Sequence, residues 1–254
     1  MNMKITVLAD NNTLIDRYYL GEPALSLYIE DEDQRILFDT GYSDVFIRNA
    51  QALNIDLDEV DTIVISHGHN DHTGGLRYLK NSQARLIMHP QAEEKKIYRH
   101  LDISMPVNLK DYSDLQVIRT AKPCRISKHL TFLGQIEQTR QKRRWLEDDP
   151  LLDDSALVYD DGRELFIITG CSHSGIVNLC EQARKLTGIS RIRGVLGGFH
   201  LLDDPQATSE VCEYFREISP EVLYPCHCTD LKAKIALSAV CPVAEVGVSS
   251  VIII

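Results

Sequence analysis

The chain has 254 residues, enough for one large domain or two small ones with a well-buried core. Its formal net charge of −10 argues against a general nucleic-acid binder, since neutralising phosphates takes a basic surface. With 44% hydrophobic and 25% charged residues it has the composition of a soluble globular protein, and no run approaches the roughly 20 apolar residues that span a bilayer. The start, MNMKITVLADNNT, has a single Lys and only a short apolar run, unlike a secretory signal. Seven cysteines, an odd number in a long chain, argue against a disulfide framework and for the cytoplasm.

Short apolar runs rich in β-formers alternate with amphipathic stretches. KITVL (4–8), ALSLYIE (24–30) and RILFDT (35–40) predict strands, with DEDQ as the hairpin turn between the last two. SDVFIRNAQALN (43–54) predicts a helix capped by Ser43. DTIVIS (61–66) is a buried strand and GGLRYLKN (74–81) begins a helix. RLIMH (85–89) is the next strand, followed by the helical QAEEKKIYRH (91–100). SALVYDDGRELFIIT (155–169) carries Asp161-Gly162 between two β-rich runs, a hairpin signal. GIVNLCEQARKLTG (175–188) is helical and stops at Gly188. IRGVLGG (192–198), PQATSEVCEYFREIS (205–219), EVLYPCH (221–227) and LKAKIALSAV (231–240) read as strand, helix, strand and helix. RILFDTGYSD and RELFIITGCSHS share a plan: a hairpin's second strand, then Thr-Gly, then a helix start. Two β-rich halves with helices outside follow, within a single domain over 1–254.

IEQTRQKRRWLEDDPLLDD (136–154) breaks the alternation and is expected to be a lid or mobile loop. It contains the only Trp and a basic cluster, Arg140, Lys142, Arg143 and Arg144. These are either a solvated surface or a clamp for an anionic small-molecule substrate.

Ser66 to Gly75 reads SHGHNDHTGG, with three of nine histidines and an aspartate within six residues. His67 and His69 are two apart at the end of a strand, so both can point the same way. Asp71 and His72 follow where the chain turns. Neutral imidazoles and carboxylates ligate Zn, Fe and Mn, and two ions about 3.5–4 Å apart would suit so crowded a donor supply. The glycines at 68, 74 and 75 allow tight turning and close approach.

The H-x-H-x-D-H pattern resembles that of the metallo-β-lactamase fold superfamily. LFDTG (37–41), with Asp39 as the structural aspartate, LFIITGCSHSG (165–175) and LYPCHCTD (223–230) fall where that family has its further motifs. VLADNNT, TGCSHSGIVN and GGFHL narrow the likeness to a branch of metal-dependent hydrolases and dihydropterin-ribofuranosyl-aminobenzene-phosphate synthase-like proteins. The resemblance covers roughly residues 3 to 250 and implies an α/β fold, the four-layer αββα sandwich.

It also implies a ligand set. His67, His69 and His173 would hold one metal, and Asp71, His72 and His227 the other. Two divalent ions are expected, zinc first, with manganese or iron as alternatives. One departure stands out. Cys171 occupies the place of the family's bridging aspartate, with His173 two residues on. Cys171 is therefore a candidate soft ligand or a packing residue, and Asp153 and Asp154 are candidates for the bridge. Cys226 and Cys228 flank His227 and are expected to pack away from the site. His200 follows two glycines at a strand end and is either a hydrogen-bonded histidine or a substrate-facing one. His89, His100 and His129 have no companion motif and read as structural or surface residues.

The implied activity is a hydrolase that directs a metal-activated water at an anionic ester or phosphoester. Asp71 would orient the nucleophile, and His200 would stabilise charge or supply a proton. The branch offers an alternative, condensation of a pterin diphosphate with a phosphorylated ribofuranosyl-aniline, releasing diphosphate. A di-iron redox protein is a second alternative; His69, where such proteins often carry Glu, counts against it.

Overall fold

The computed structural model describes residues 3–80, 82–141 and 151–254. Contacts divide the described chain into two compact units. The first holds residues 3–121, 151–153 and 247–254; the second holds 122–141 and 154–246.

Strands and helices are numbered in chain order. The first unit contains β1 (Lys4–Ala9), β2 (Ser26–Asp31), β3 (Gln34–Phe38), α1 (Val45–Ala52), β4 (Thr62–Val64), α2 (Asn70–Thr73), β5 (Arg85–Met88), β6 (Ile97–Tyr98), β7 (Leu101–Asp102) and β8 (Gln116–Arg119). The last strand of the chain, β15 (Val251–Ile253), returns to this unit. One sheet of seven strands runs β15-β1-β2-β3-β4-β5-β8. Its β15, β1, β2 and β3 are antiparallel, and β3, β4, β5 and β8 are parallel. Five of the six β1 residues are buried. Helix α1 contributes Phe46 and Ala50 to a core with Leu8, Leu37, Ile63 and Leu86.

The second unit contains β9 (Cys124–Arg125), β10 (Leu130–Phe132), β11 (Ala156–Asp160), β12 (Leu165–Thr169), α3 (Ile176–Thr187), β13 (Ile192–Gly197), α4 (Pro205–Ile218), β14 (Val222–Pro225) and α5 (Leu231–Ser238). Its six strands run β14-β13-β12-β11-β10-β9. Here β9 to β12 are antiparallel and β12, β13 and β14 parallel. Leu179, Val195, Phe199, Phe215 and Leu223 belong to its core. Removing a large side chain from such a core costs about 2–5 kcal/mol.

Both units therefore repeat the plan seen in the sequence: an antiparallel hairpin whose second strand continues into parallel neighbours. Parallel register brings the carboxyl ends of those strands level. Phe38 pairs with Val64 and Val64 with Ile87 in the first unit. Thr169 pairs with Gly197 and Gly197 with Pro225 in the second. The loops that leave these ends are where open α/β sheets place their ligands.

Three expectations are corrected. The helix after the histidine cluster begins at Asn70, not Gly74, so Asp71 and His72 lie on it; a 3₁₀ segment, Gly74–Tyr78, follows. Ser43 does not cap α1: the N-cap is Asp44, without a side-chain bond, while Ser43 Oγ donates to Glu22 at 2.6 Å. The stretch 91–100 is no helix. It forms a 3₁₀ turn, Pro90–Glu93, and then the β6–β7 hairpin. Of the expected lid over 136–154, residues 142–150 lie outside the described residues. Among the described residues no helix is long and apolar enough to cross a membrane.

Candidate metal centre

In the first unit His67, His69, Asp71 and His72 all leave the carboxyl end of β4. The anchor is Asp39, just past β3, which is fully buried and sits at φ 56°. A non-glycine residue held there persists only where its surroundings determine it. Its Oδ1 accepts the Ser66 backbone N–H at 2.7 Å. Its Oδ2 accepts the Ser66 hydroxyl and His72 Nδ1, each at 2.7 Å.

These bonds fix two tautomers. A carboxylate only accepts, so His72 carries its proton on Nδ1 and presents Nε2 as a lone pair. The single Ser66 hydroxyl proton goes to Asp39, so Ser66 Oγ must accept from His67 Nδ1 at 2.9 Å. His67 therefore also presents Nε2. That nitrogen lies 3.1 Å from His69 Nδ1. Two nitrogens on one tetrahedral zinc ion, each 2.0–2.1 Å from it, stand about 3.3 Å apart. The pair has the spacing of a shared ion. The His67 ring centroid is 4.5 Å from that of His69 and 4.2 Å from that of His72. Asp71 Oδ2 stands 3.6 Å from His72 Nε2.

The glycines of this loop serve close packing, not turning, since none has positive φ. A Cβ on Gly68 would run into the Ala92 carbonyl, on Gly74 into that of Tyr42, and on Gly75 into that of Thr40. Gly68 N–H donates to Asp153 Oδ2 at 2.7 Å.

In the second unit the candidates leave the carboxyl ends of β12, β13 and β14. After β12 come Cys171 and His173, both buried, with Ser172 between them at φ 58°. Ser172 Oγ donates to the Gly198 carbonyl at 2.7 Å, tying the β12 and β13 loops together. Asp154 Oδ2 accepts both the backbone N–H and the hydroxyl of Ser174, beside His173. His200 sits at φ 47° with its ring centroid 4.4 Å from that of His173. His227 sits at φ 48° just past β14. Cys226 is fully buried, and Cys228 Sγ donates to the Cys171 carbonyl at 3.6 Å. A Cβ on Gly198 would meet that same sulfur. Positive φ at Ser172, His200 and His227 shows that the loops after β12, β13 and β14 each hold a non-glycine residue in a conformation its surroundings must determine.

The residues fit divalent metals. In the first unit the donors are imidazoles with fixed tautomers, one of them backed by a carboxylate, and a flanking aspartate; in the second they are histidines and a buried cysteine, each a donor type that divalent metals take. Other histidines are placed differently. His89 Nδ1 accepts the Gln91 N–H at a 3₁₀ start, His129 Nδ1 bonds the Asp160 carbonyl at 2.8 Å, and His100 lies in the β6–β7 turn. Arg140 is more than half exposed, 3.7 Å from Glu181, which also accepts from Tyr214 and Arg184. Burial opposes ionisation of Glu181, but those donors outweigh it and hold its pKa below the usual range. Lys142, Arg143 and Arg144 lie outside the described residues. Sequence reasoning missed Ser66 and Lys96. Ser66 immediately precedes the histidine motif and could have been found as its relay. Lys96 sits in a stretch that reads as a surface helix and gives no such signal.

The metallo-beta-lactamase superfamily pattern matches residues 20–227, and the chain belongs to that superfamily. Its fold is the metallo-β-lactamase fold expected from the motifs. An uncharacterized protein of Methanocaldococcus jannaschii is 32% identical over 92% of this chain and 93% of its own length. From the same organism, 7,8-dihydropterin-6-methyl-4-(beta-D-ribofuranosyl)-aminobenzene-5'-phosphate synthase is 28% identical over 92% of this chain and 90% of its own. Among solved structures, a metal-dependent hydrolase of the beta-lactamase superfamily matches with a TM-score of 0.87 and 28% identity over 98% of both chains.

Proposed function

We propose that the protein is a metal-dependent hydrolase acting on an anionic small-molecule ester or phosphoester through a binuclear centre. In this reading the ligands are those the family motifs imply: His67, His69 and His173 hold one ion, Asp71, His72 and His227 the other, with Cys171 as a candidate soft ligand. Cys171 then takes the part of the aspartate that the family motif leads one to expect. The observation that carries the reading is the Asp39–Ser66–His67 and Asp39–His72 relay. Such a relay leaves both Nε2 nitrogens as lone-pair donors of the kind a cation takes. Likeness over nearly full length to a metal-dependent hydrolase supports it further.

Bound divalent ions lower the pKa of water and polarise an oxygen that gains charge. The remaining work falls to the chain. Asp39 and Ser66 keep His67 and His72 in the ligating tautomer through the cycle. Asp71, whose side chain is partly open to solvent, accepts a proton from the incoming nucleophile and orients it. His200, half-buried with its ring tilted against that of His173, delivers a proton to the leaving group.

A second reading is favoured by the likeness to the dihydropterin synthase: condensation with release of diphosphate. Metal-loaded protein incubated with phosphoesters, lactones and thioesters, and separately with pterin diphosphate and a phosphorylated ribofuranosyl-aniline, separates the two by mass spectrometry. Products carrying the elements of water support hydrolysis. A joined pterin–aniline product with diphosphate overturns it in favour of condensation.

A further inference from the structure

Lys96 and Asp153 form a buried ion pair at 3.1 Å, with side chains 2% and 0% exposed. A buried pair is weak evidence for stability, because removing two charges from water costs about what their attraction returns. Its position is more informative. Asp153 Oδ2 accepts the N–H of Gly68, the residue between His67 and His69. Asp153 Oδ1 accepts from Lys96 Nζ.

The segment that carries Lys96 is fastened to the same loop. Lys96 N–H donates to Ser104 Oγ at 2.8 Å, and Ile103 N–H donates to the Lys96 carbonyl. Ser104 forms a β-bridge with His69, and Asn70 N–H donates to the Ile103 carbonyl at 2.8 Å. Ala92 packs its carbonyl where a Cβ on Gly68 would lie. The 90–104 excursion therefore grips the His67-Gly68-His69 backbone from one side, and the Asp153 carboxylate grips it at Gly68.

We propose that Asp153 and Lys96 are positioning residues of the metal centre. The carboxylate sets the His67–His69 bite through the Gly68 N–H, and the Lys96 ammonium keeps that carboxylate aimed. The proposal rests on the metal-centre reading above. It gives Asp153 a role other than bridging the metals.

Two double variants test it without burying a lone charge. Lys96→Met/Asp153→Asn keeps a neutral acceptor for the Gly68 N–H. Lys96→Met/Asp153→Leu removes it. Zinc affinity is measured by chelator competition on each, alongside the wild-type protein, with circular dichroism and thermal melts of the metal-free forms. The Asn variant should bind zinc close to the wild type, and the Leu variant about 10–100-fold more weakly. Equal affinity in the two variants, at any level, overturns the proposal. A wild-type protein that binds no zinc overturns the metal-centre reading itself. If only the Leu variant fails to fold, the Lys96→Met/Asp153→Asn variant decides against the wild type: retained zinc affinity supports the acceptor role, and a loss of about 10-fold or more overturns it.

Discussion

Asp39 does more for the candidate site than any ligand, since it sets the proton on His72 directly and on His67 through Ser66. Asn at this position can offer only one acceptor oxygen for three donors. Asp39→Asn should therefore weaken metal binding about 10–100-fold. It should also destabilise the metal-free protein by about 1–3 kcal/mol, the cost of a buried donor left unsatisfied. Metal titration and urea denaturation of the same preparation check both. Cys171 is the residue whose sequence reading left two roles open. If it ligates, cobalt-loaded protein shows a thiolate-to-cobalt charge-transfer band in the near ultraviolet that Cys171→Ala abolishes. Persistence of the band in that variant would exclude Cys171 as its source. His67, His69, Asp71 and His72 were legible because their spacing is a ligand spacing. The partners of Ser66 and the contact of Asp153 with Gly68 were not, because they lie 27 and 85 residues apart in the chain, and Lys96 was not, because its burial gives no sequence signal.

Elements were legible where periodicity and capping agree. The Asp-Gly hairpin and the helix ending at Gly188, φ 75°, formed where the sequence placed them. The stretch 91–100 was misread because its residues favour a helix, and tertiary contacts override that preference. Its hairpin turn uses Arg99 at φ 47° and Asn-free His100 at φ 70°, so the usual Asn-Gly signal is missing. Helix α5 is capped by Asp230. Asp230 accepts from the Ala233 N–H at 2.8 Å and from the Asp203 N–H at 2.9 Å, joining the loop after His200 to the loop after His227. Burial works against its ionisation, but these backbone donors outweigh it and hold its pKa below the usual carboxylate range. A lowered carboxylate pKa stabilises fully above the unfolded value of about 3.9 and is lost as pH falls through the folded value. Asp230→Ala should thus cost about 1 kcal/mol near neutral pH. The difference should shrink in acid, which denaturant melts at pH 7 and pH 3 would reveal.

For the whole molecule, both units present their candidate ligands at the carboxyl ends of parallel strands. The repeat of RILFDTG and RELFIITG foretold that common plan, because the hairpin and the turn after it are local. The seven- and six-strand orders were not legible, since the return of β15 to β1 depends on pairing across nearly the full chain. Metal that binds only the folded chain should stabilise it, by about 2.7 kcal/mol per site at a free concentration 100 times Kd. For a chain of this size each kcal/mol moves the melting temperature by about 2–4 °C. A melt with and without chelator should therefore differ by several degrees, and coincident melts would mean that no resident metal was removed. The most direct test is elemental analysis of protein purified without chelator, for the wild type and for His67→Ala and Asp71→Ala. The account predicts about two divalent ions per wild-type chain, as expected of a binuclear site, and a clear loss in each variant. A metal-free wild type, or the same stoichiometry in both variants, would contradict it.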